Sequence, residues 1–420
     1  MKKSRISFPA ILSKYKRSVI ILILLIATAS GYTQEPPLIP RKVFDAPAEH
    51  DFLTVSPNGK SIAYTAPSGQ GVANVWMEEL ATHKKRMVTR ASQRGIGEYK
   101  WAYDNNHLLY QSDENGNEDY HLYSVDLTSG AIRDLTPFQG VRAEQTILEP
   151  SRPDEVLVSM NLRDSKVFDV YRVNLQTGAT IMDAQNPGDI IGWTADQNLV
   201  IRAATAFNDN LETVVRVRDS GKAPWRDLLK IPFEQAPFLG QVNGGNIIVG
   251  FSQDGKKLVV GSSKGSPTNR LIELDISTGK DLRVLASDPQ ADLWQNFARD
   301  FVLLRDPRDN HVQAAAFDYM KPEWRAIDPA VAADLKYLAA LQAGVFLVSS
   351  QDISGSKWAI WYFTDNGPTS FYLYDRAAHK AQLLFQDRPQ LAQYKLAEMR
   401  PMTIPARDGF KLVSYLTLPP

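Results

Sequence analysis

Three nearly identical segments, LYSVDLTSG at 122–130, VYRVNLQTG at 170–178 and LIELDISTG at 271–279, predict an all-β fold. Each is an alternating strand that ends in a polar turn and is followed by another short strand. Weaker copies stand at 75–83 (VWMEELATH) and 371–379 (FYLYDRAAH). Polar or Gly-bearing hairpin turns punctuate the same units: Ser56-Pro57-Asn58-Gly59, Asp104-Asn105-Asn106, Pro153-Asp154, Ala195-Asp196-Gln197 and Gln253-Asp254-Gly255. Self-similarity at roughly 45–55 residues with four strands per unit is the pattern of a propeller blade. The chain therefore reads as a seven-bladed β-propeller of four-stranded antiparallel blades over residues 51–388.

The elements follow in order. Residues 1–30 read as a secretory signal peptide: a basic leader (Lys2, Lys3, Arg5, Lys14, Lys16, Arg17), an unbroken Val/Ile/Leu run at 19–26, then the small-x-small site Ala27-Thr28-Ala29. The apolar run falls short of the ~20 residues a spanning helix needs. An uncleaved anchor is the alternative, and only then is a membrane a partner. Either way the folded part is expected to be exported, to the periplasm. Residues 31–50 are Pro-rich and read as an extended lead-in. Blades are expected over 51–89, 99–136, 144–183, 189–232, 247–286, 292–327 and 345–385, the sixth being the least regular. One helix interrupts them, with Asp328 as N-cap, Pro329 in its first turn, Val331, Leu335, Leu338 and Gln342 on one face, and Gly344 as its stop. It is expected to cover the join between blades six and seven. Each unit is contiguous, so the ring is expected to close by face-to-face packing of blades one and seven and not by a shared sheet. Residues 389–420 form a linker and a hairpin, with strands at 402–406 and 411–418 around Arg407-Asp408-Gly409.

Composition removes several function classes. Lys+Arg 47 against Asp+Glu 47 gives no net charge, and so no overall field that favours nucleic acid. The absence of cysteine removes disulfides, thiol nucleophiles and zinc–thiolate sites. Gly261-Ser262-Ser263-Lys264-Gly265 fits G-x-S-x-G, but a nucleophile elbow needs a helix after its strand, whereas Pro267 and a second strand follow here. The histidines (His50, His83, His107, His121, His311, His379) are scattered, with none in metal-ligand spacing with another. The acidic run 113–119 has its glycine misplaced for a calcium loop. No catalytic residue, metal or cofactor is expected in this chain.

Several stretches carry a family resemblance: Leu38-Ile39-Pro40-Arg41, the Ser56-Pro57-Asn58-Gly59 turn, Asn74-Val75-Trp76, the HLYSVDL run, and FYLYDRAAHKAQLLF with RPQLAQYKLAEMRPMTIPARDGFKLVSYLTLPP after it. The chain resembles the prolyl oligopeptidase family of serine peptidases, nearest its secreted bacterial acylaminoacyl- and dipeptidyl-peptidase branch. The resemblance implies an N-terminal propeller that gates short peptides into a C-terminal α/β-hydrolase domain, of which the ARDG…YLTLP stretch is the opening hairpin. It also implies that nucleophile, acid and histidine lie beyond Pro420, so that this chain alone is inactive.

Strand parity places the partner domain. With an even number of crossings per blade, the chain enters blade one and leaves blade seven on the same face, shared by the loops between second and third strands. Those loops carry Glu114, Glu118, Asp119, Asp164, Asp209, Glu212 and Asp365. In relatives that act from the substrate's N-terminus, propeller carboxylates hold the peptide ammonium. Glu114, Glu118 and Asp119 are the first candidates for that role, Asp209 and Glu212 the second, against the plainer reading of solvated acidic loops. The competing function is a non-enzymatic periplasmic propeller of the TolB type that acts as a binding scaffold.

Overall fold

A computed structural model describes residues 38–235, 247–296 and 301–419; the expected signal segment 1–30 and residues 31–37 of the expected lead-in lie outside the described residues. Seven four-stranded antiparallel sheets follow one another along the chain, each built from consecutive strands. Blade one is Asp51–Val55, Ser61–Pro67, Ala73–Glu79 and Lys85–Met87. The strands of blade two are Tyr99–Trp101, His107–Ser112, His121–Asp126 and Ile132–Asp134, and those of blade three Ala143–Ile147, Glu155–Asp164, Val167–Asn174 and Thr180–Ala184. Blade four is Ile190–Ala195, Ile201–Phe207, Thr213–Val217 and Arg226–Ile231; blade five is Ile248–Phe251, Lys257–Ser262, Arg270–Asp275 and Asp281–Ala286. Blade seven is Val345–Gln351, Lys357–Phe363, Ser370–Asp375 and Lys380–Gln386. We call the side carrying the second-to-third-strand loops the loop face and the opposite side the turn face.

The sequence repeat has a physical cause. In its three clear copies the Asp or Asn that ends the strand accepts two main-chain N–H groups: Thr128 and Ser129 on Asp126, Gln176 and Thr177 on Asn174, Ser277 and Thr278 on Asp275. A glycine at positive φ closes each turn (Gly130 74°, Gly178 75°, Gly279 70°). The residue between then donates its N–H across the blade to the first hairpin turn: Leu127 to Asn106, Leu175 to Asp154 and Ile276 to Lys256. The weak copies make the same stitch, Leu80 to Lys60 and Arg376 to Ser356. What recurs in the sequence is a fastener that ties the two turn-face corners of a blade together.

Seven apolar clusters, one per seam, hold the blades to one another. The closing seam has its own, in which Leu53, Ile62, Tyr64 and Ala66 of blade one meet Ala359 and Phe371 of blade seven. No strand is shared across it among the described residues. Side chains reach over instead. Ser350 Oγ accepts from Val55 N–H at 2.8 Å, while Ser349 Oγ and Trp361 Nε1 donate to the Leu53 carbonyl at 2.7 and 2.8 Å. Main-chain bonds from Ile353 to Pro57 and from Glu49 to Asp387 complete the fastening.

Two elements depart from the sequence reading. The lead-in is not wholly extended, because Arg41–Phe44 forms one helical turn after Pro40. Blade six (Asp292–Leu293, Leu303–Arg305, Val312–Asp318, Pro322–Ala326) has an unusual layout. Asp292 and Leu293 pair with Asp318 and Phe317, while Leu303, Leu304 and Arg305 pair with Ala315, Ala314 and Val312. The first two strands thus lie end to end along one edge of the third, and Pro322–Ala326 takes the other edge. Three crossings leave the chain on the turn face, and helix Ala332–Leu341 carries it back. Asp328 caps the turn that precedes the helix, accepting from Ala330 N–H at 2.9 Å. Val331, Leu335 and Leu338 bury against Trp358, Tyr362 and Tyr374, at the predicted join. Ala314 of blade six is fully buried in the same cluster, and its small side chain leaves room for the helix.

The helix is locked by its buried Asp334, which accepts from Tyr374 Oη at 2.7 Å and from Arg376 Nε and Nη2 at 3.0 and 2.8 Å. Removing one partner of a buried pair strands the other, so Asp334→Ala is expected to cost about 3 kcal/mol, the low end for such pairs because Arg376 keeps some solvent. Denaturant unfolding measures it; a loss below about 1 kcal/mol, the usual worth of an exposed pair, contradicts the lock.

Candidate functional site

Blades one, two, three, six and seven, chiefly through their innermost strands, line a central cavity of about 1550 Å³. On the loop face its wall includes Asp51, Glu98, Asp113, Tyr120, Arg142, Glu144, Thr369 and Asp387, and on the turn face Pro57, Tyr103, Leu148 and Gln351. Aromatic side chains (Phe52, Trp101, Trp294, Trp361) line the middle. The volume exceeds the ~300–1,000 Å³ of typical small-molecule sites.

The charges of the loop-face rim are mostly paired. Arg94 Nη1 donates to Asp113 at 2.7 Å, and that carboxylate also accepts from Glu118 N–H at 3.1 Å. Arg142 lies 3.5 Å from Glu144 and sits over the Tyr120 ring at 5.8 Å. Asp51 differs: burial raises its carboxyl pKa, the neighbouring Asp387 adds to the rise, and the bond from Phe52 N–H and the charge of Arg388 oppose it. Beside it Phe52 holds φ at 51°, a costly conformation for an aromatic residue, fixed by Tyr99 Oη donating to its carbonyl.

The predicted site residues form two separate groups. Glu114 lines a smaller side pocket of about 530 Å³ with Arg90, Arg94, Tyr110 and Tyr123. Glu118 and Asp119 follow on the same blade-two loop, Glu118 exposed and Asp119 half-buried. Asp209 and Glu212 lie on the blade-four loop, where Asn208 Nδ2 donates to the Glu212 carboxylate at 2.7 Å. None of the five is in the wall of the central cavity, among the described residues. Asp51, Glu144 and Asp387 line the cavity but belong to no acidic run in the sequence. Their signal was available, since each stands where a first strand begins or a last strand ends on the loop face.

The excluded motifs have structural explanations. Gly261 and Ser262 end a strand, and a Cβ on Gly261 would stand 2.3 Å from the Phe301 ring, so packing demands the glycine. Ser263 Oγ donates to the Gln235 carbonyl. Ligand atoms of Asp306, Asp309 and His311 lie within 4.8 Å of one another, but the Arg308 guanidinium already neutralises the buried Asp306.

On the turn face, next to the cavity-lining Leu148, a carboxyl of blade three meets an amide of blade six. Glu149 accepts from Asn310 Nδ2 at 3.4 Å, and burial lifts its carboxyl from the ordinary 4.5 to about 7, with Arg305 and Asn310 opposing the rise. On the loop face stands the hairpin of Met399–Pro405 and Lys411–Thr417. Met399 N–H donates to the Asp365 carboxylate of blade seven at 2.5 Å. The Tyr415 hydroxyl, on a half-exposed side chain, has its pKa raised by partial burial, with Asp318 of blade six adding to the shift. Met402, Ile404, Leu412, Leu416 and Leu418 remain exposed.

Comparison with known proteins adds ancestry. The chain is 35% identical over 383 residues to dipeptidyl aminopeptidase BIII of Pseudoxanthomonas mexicana, covering 91% of this chain and 53% of that protein. It is 24% identical over 416 residues to dipeptidyl peptidase family member 6 of Caenorhabditis elegans, covering 96% of this chain and 54% of that one. The chain thus spans about half the length of these curated relatives. No family model matches. Among solved structures, a prolyl endopeptidase superposes with a TM-score of 0.61 at 12% identity, over 88% of this chain and 54% of that one. A puromycin-hydrolysing peptidase from Mycobacterium tuberculosis does so at 0.59 and 14%, over 90% and 60%. At these identities the structural matches speak for the fold.

The Glu149 carboxyl carries a pH signature. Its folded pKa lies above its unfolded one, so the folded state holds the extra proton and stability falls as pH rises from about 4.5 to about 7. Glu149→Gln is expected to remove that component and to raise stability at neutral pH. Thermal melts between pH 4 and 8 check it; parallel curves for both proteins contradict it.

Proposed function

Homologous along its propeller to peptidases of the dipeptidyl-aminopeptidase and prolyl-oligopeptidase kind, this chain is, we propose, the substrate-gating portion of an exported serine-type peptidase that hydrolyses short peptides. The observation that carries the reading is the shared face. The cavity reaches the loop face, and the hairpin is pinned to that face at Asp365 with its apolar side chains exposed. A hydrolase domain continuing from that hairpin would cover the mouth and bury those side chains, an isolated two-stranded ribbon being marginal by itself.

Gating follows from dimensions. A cavity of about 1550 Å³ admits an extended peptide of a few residues and excludes a folded domain. Nucleophilic attack through an acyl-enzyme would be carried out by the Ser/His/acid set of the hydrolase domain; the propeller would select and orient. The basic leader and apolar run at the N-terminus support export to a periplasm.

Glu114, Glu118 and Asp119, with Asp209 and Glu212 second, are proposed to attract and hold the substrate's ammonium group. Their exposure limits what each contributes. In the full-length peptidase carrying this propeller, Glu114→Gln with Glu118→Gln is expected to raise KM for free-amine peptides about two- to fivefold, the worth of an exposed ion pair, with kcat and N-acetylated peptides unaffected. Unchanged KM removes the acids from substrate binding; hydrolysis of folded proteins as fast as of short peptides removes the gating role.

A further inference from the structure

On the turn face, beyond the cavity-lining residues Tyr103, Leu148 and Gln351, the ring is crossed from one side to the other. The blade-six turn at 306–311 reaches blade four, where Gln197 Nε2 donates to the Asp309 carbonyl at 2.8 Å, and blade three, where Asn310 Nδ2 donates to Glu149. Blades three and six are separated by two blades one way round a seven-membered ring and by three the other, so a bond between them spans the axis. Neighbours close the remaining gaps. Gln351 Nε2 of blade seven donates to the Arg305 carbonyl at 2.8 Å, and Arg305 Nη1 donates to the Val249 carbonyl of blade five at 3.0 Å. Ser151 of blade three donates to the Gln197 carbonyl. Tyr103 of blade two lines that end of the cavity, its hydroxyl pKa raised by burial and by Glu149.

The turn is braced from within and from behind. Asp306 is buried and holds both the N–H and the guanidinium of Arg308, and its carbonyl accepts from Asn310 N–H at 2.8 Å. His311 Nδ1 lies 2.6 Å from Asp309, and its Nε2 lies 3.3 Å from Asp328, the cap before the helix. Asn310 sits at φ 61°, a conformation Asn tolerates better than most residues and one that aims its amide at Glu149.

We propose that this turn is a fixed floor: among the described residues the central cavity is a pouch that opens at the loop face, and no solute passes along the propeller axis. If the chain binds peptides, a consequence that rests on the reading above, the floor bounds the length of peptide the pouch accepts. The seal itself stands apart from any peptidase activity.

The chain has no cysteine, so a single introduced thiol reports its own accessibility. Glu98→Cys at the mouth, Lys100→Cys deeper and Leu148→Cys beside the floor are compared for reaction with N-ethylmaleimide, each folded variant being verified by circular dichroism. The rate is expected to fall in that order, by roughly tenfold or more from first to last, as protection deepens away from the loop-face opening. Adding Asn310→Gly and Gln197→Ala is expected to bring the Leu148→Cys rate up toward that of Glu98→Cys. A minimum at Lys100 with Leu148→Cys as fast as Glu98→Cys in the otherwise unaltered chain overturns the proposal. So does a folded floor variant that leaves the Leu148→Cys rate unchanged. Should that variant fail to fold, the three-point profile alone decides between pouch and channel.

Discussion

Face-to-face packing of one sheet on the next is the constraint on which this molecule depends. Each blade is an antiparallel ribbon of four strands that cannot bury both of its faces unaided, and each seam supplies an apolar cluster drawn from two neighbours. The seventh seam must bring together residues some 300 positions apart without a strand to bridge them. It does so with the same kind of cluster as the others, to which side-chain bonds onto the main chain of blade one are added. The radial arrangement then leaves a central space lined chiefly by the first strands of five blades, and what the molecule can do with a ligand follows from how the two ends of that space are finished.

The two ends are finished differently. At the turn face, short fasteners draw the corners of five blades together, and the long turn of blade six bridges the axis. At the loop face, the connections are longer, polar and partly charged, and the hairpin stands beside them with unburied apolar side chains. Blade six underlies both arrangements. Its divided first strand brings Trp294 to the cavity wall, its turn closes the floor, and its helix replaces a fourth crossing so that the chain still leaves on the loop face. The irregular blade is thus the one that shapes the cavity.

Much of this was legible in the sequence. The Asp/Asn-x-x-x-Gly turns announced themselves because one fastener recurs in five blades, and repetition is readable without coordinates. The helix was legible from Asp328, Pro329 and the spacing of Val331, Leu335 and Leu338. Blade six was recognised as irregular, but its end-to-end strands were not foreseeable, because collinear pairing along one edge leaves the same alternating pattern as two adjacent strands. The floor was hidden for a different reason: Asn310, Gln197 and Glu149 are distant in sequence and share no pattern, and only ring closure makes them neighbours. The acidic candidates were drawn from exposed loops, where carboxylates are visible as a run, whereas Asp51 and Asp387 are single residues at strand ends.

The claim that face-to-face packing, fastened by hydrogen bonds across the seam and without a shared strand, closes the ring is tested most directly by hydrogen exchange at the amides of Val55 and Ile353, whose bonds cross the seam between blades one and seven. This account predicts protection comparable with that of amides inside the blades. Exchange of these two at the rate of fraying chain ends, while the other six seams stay protected, would contradict it.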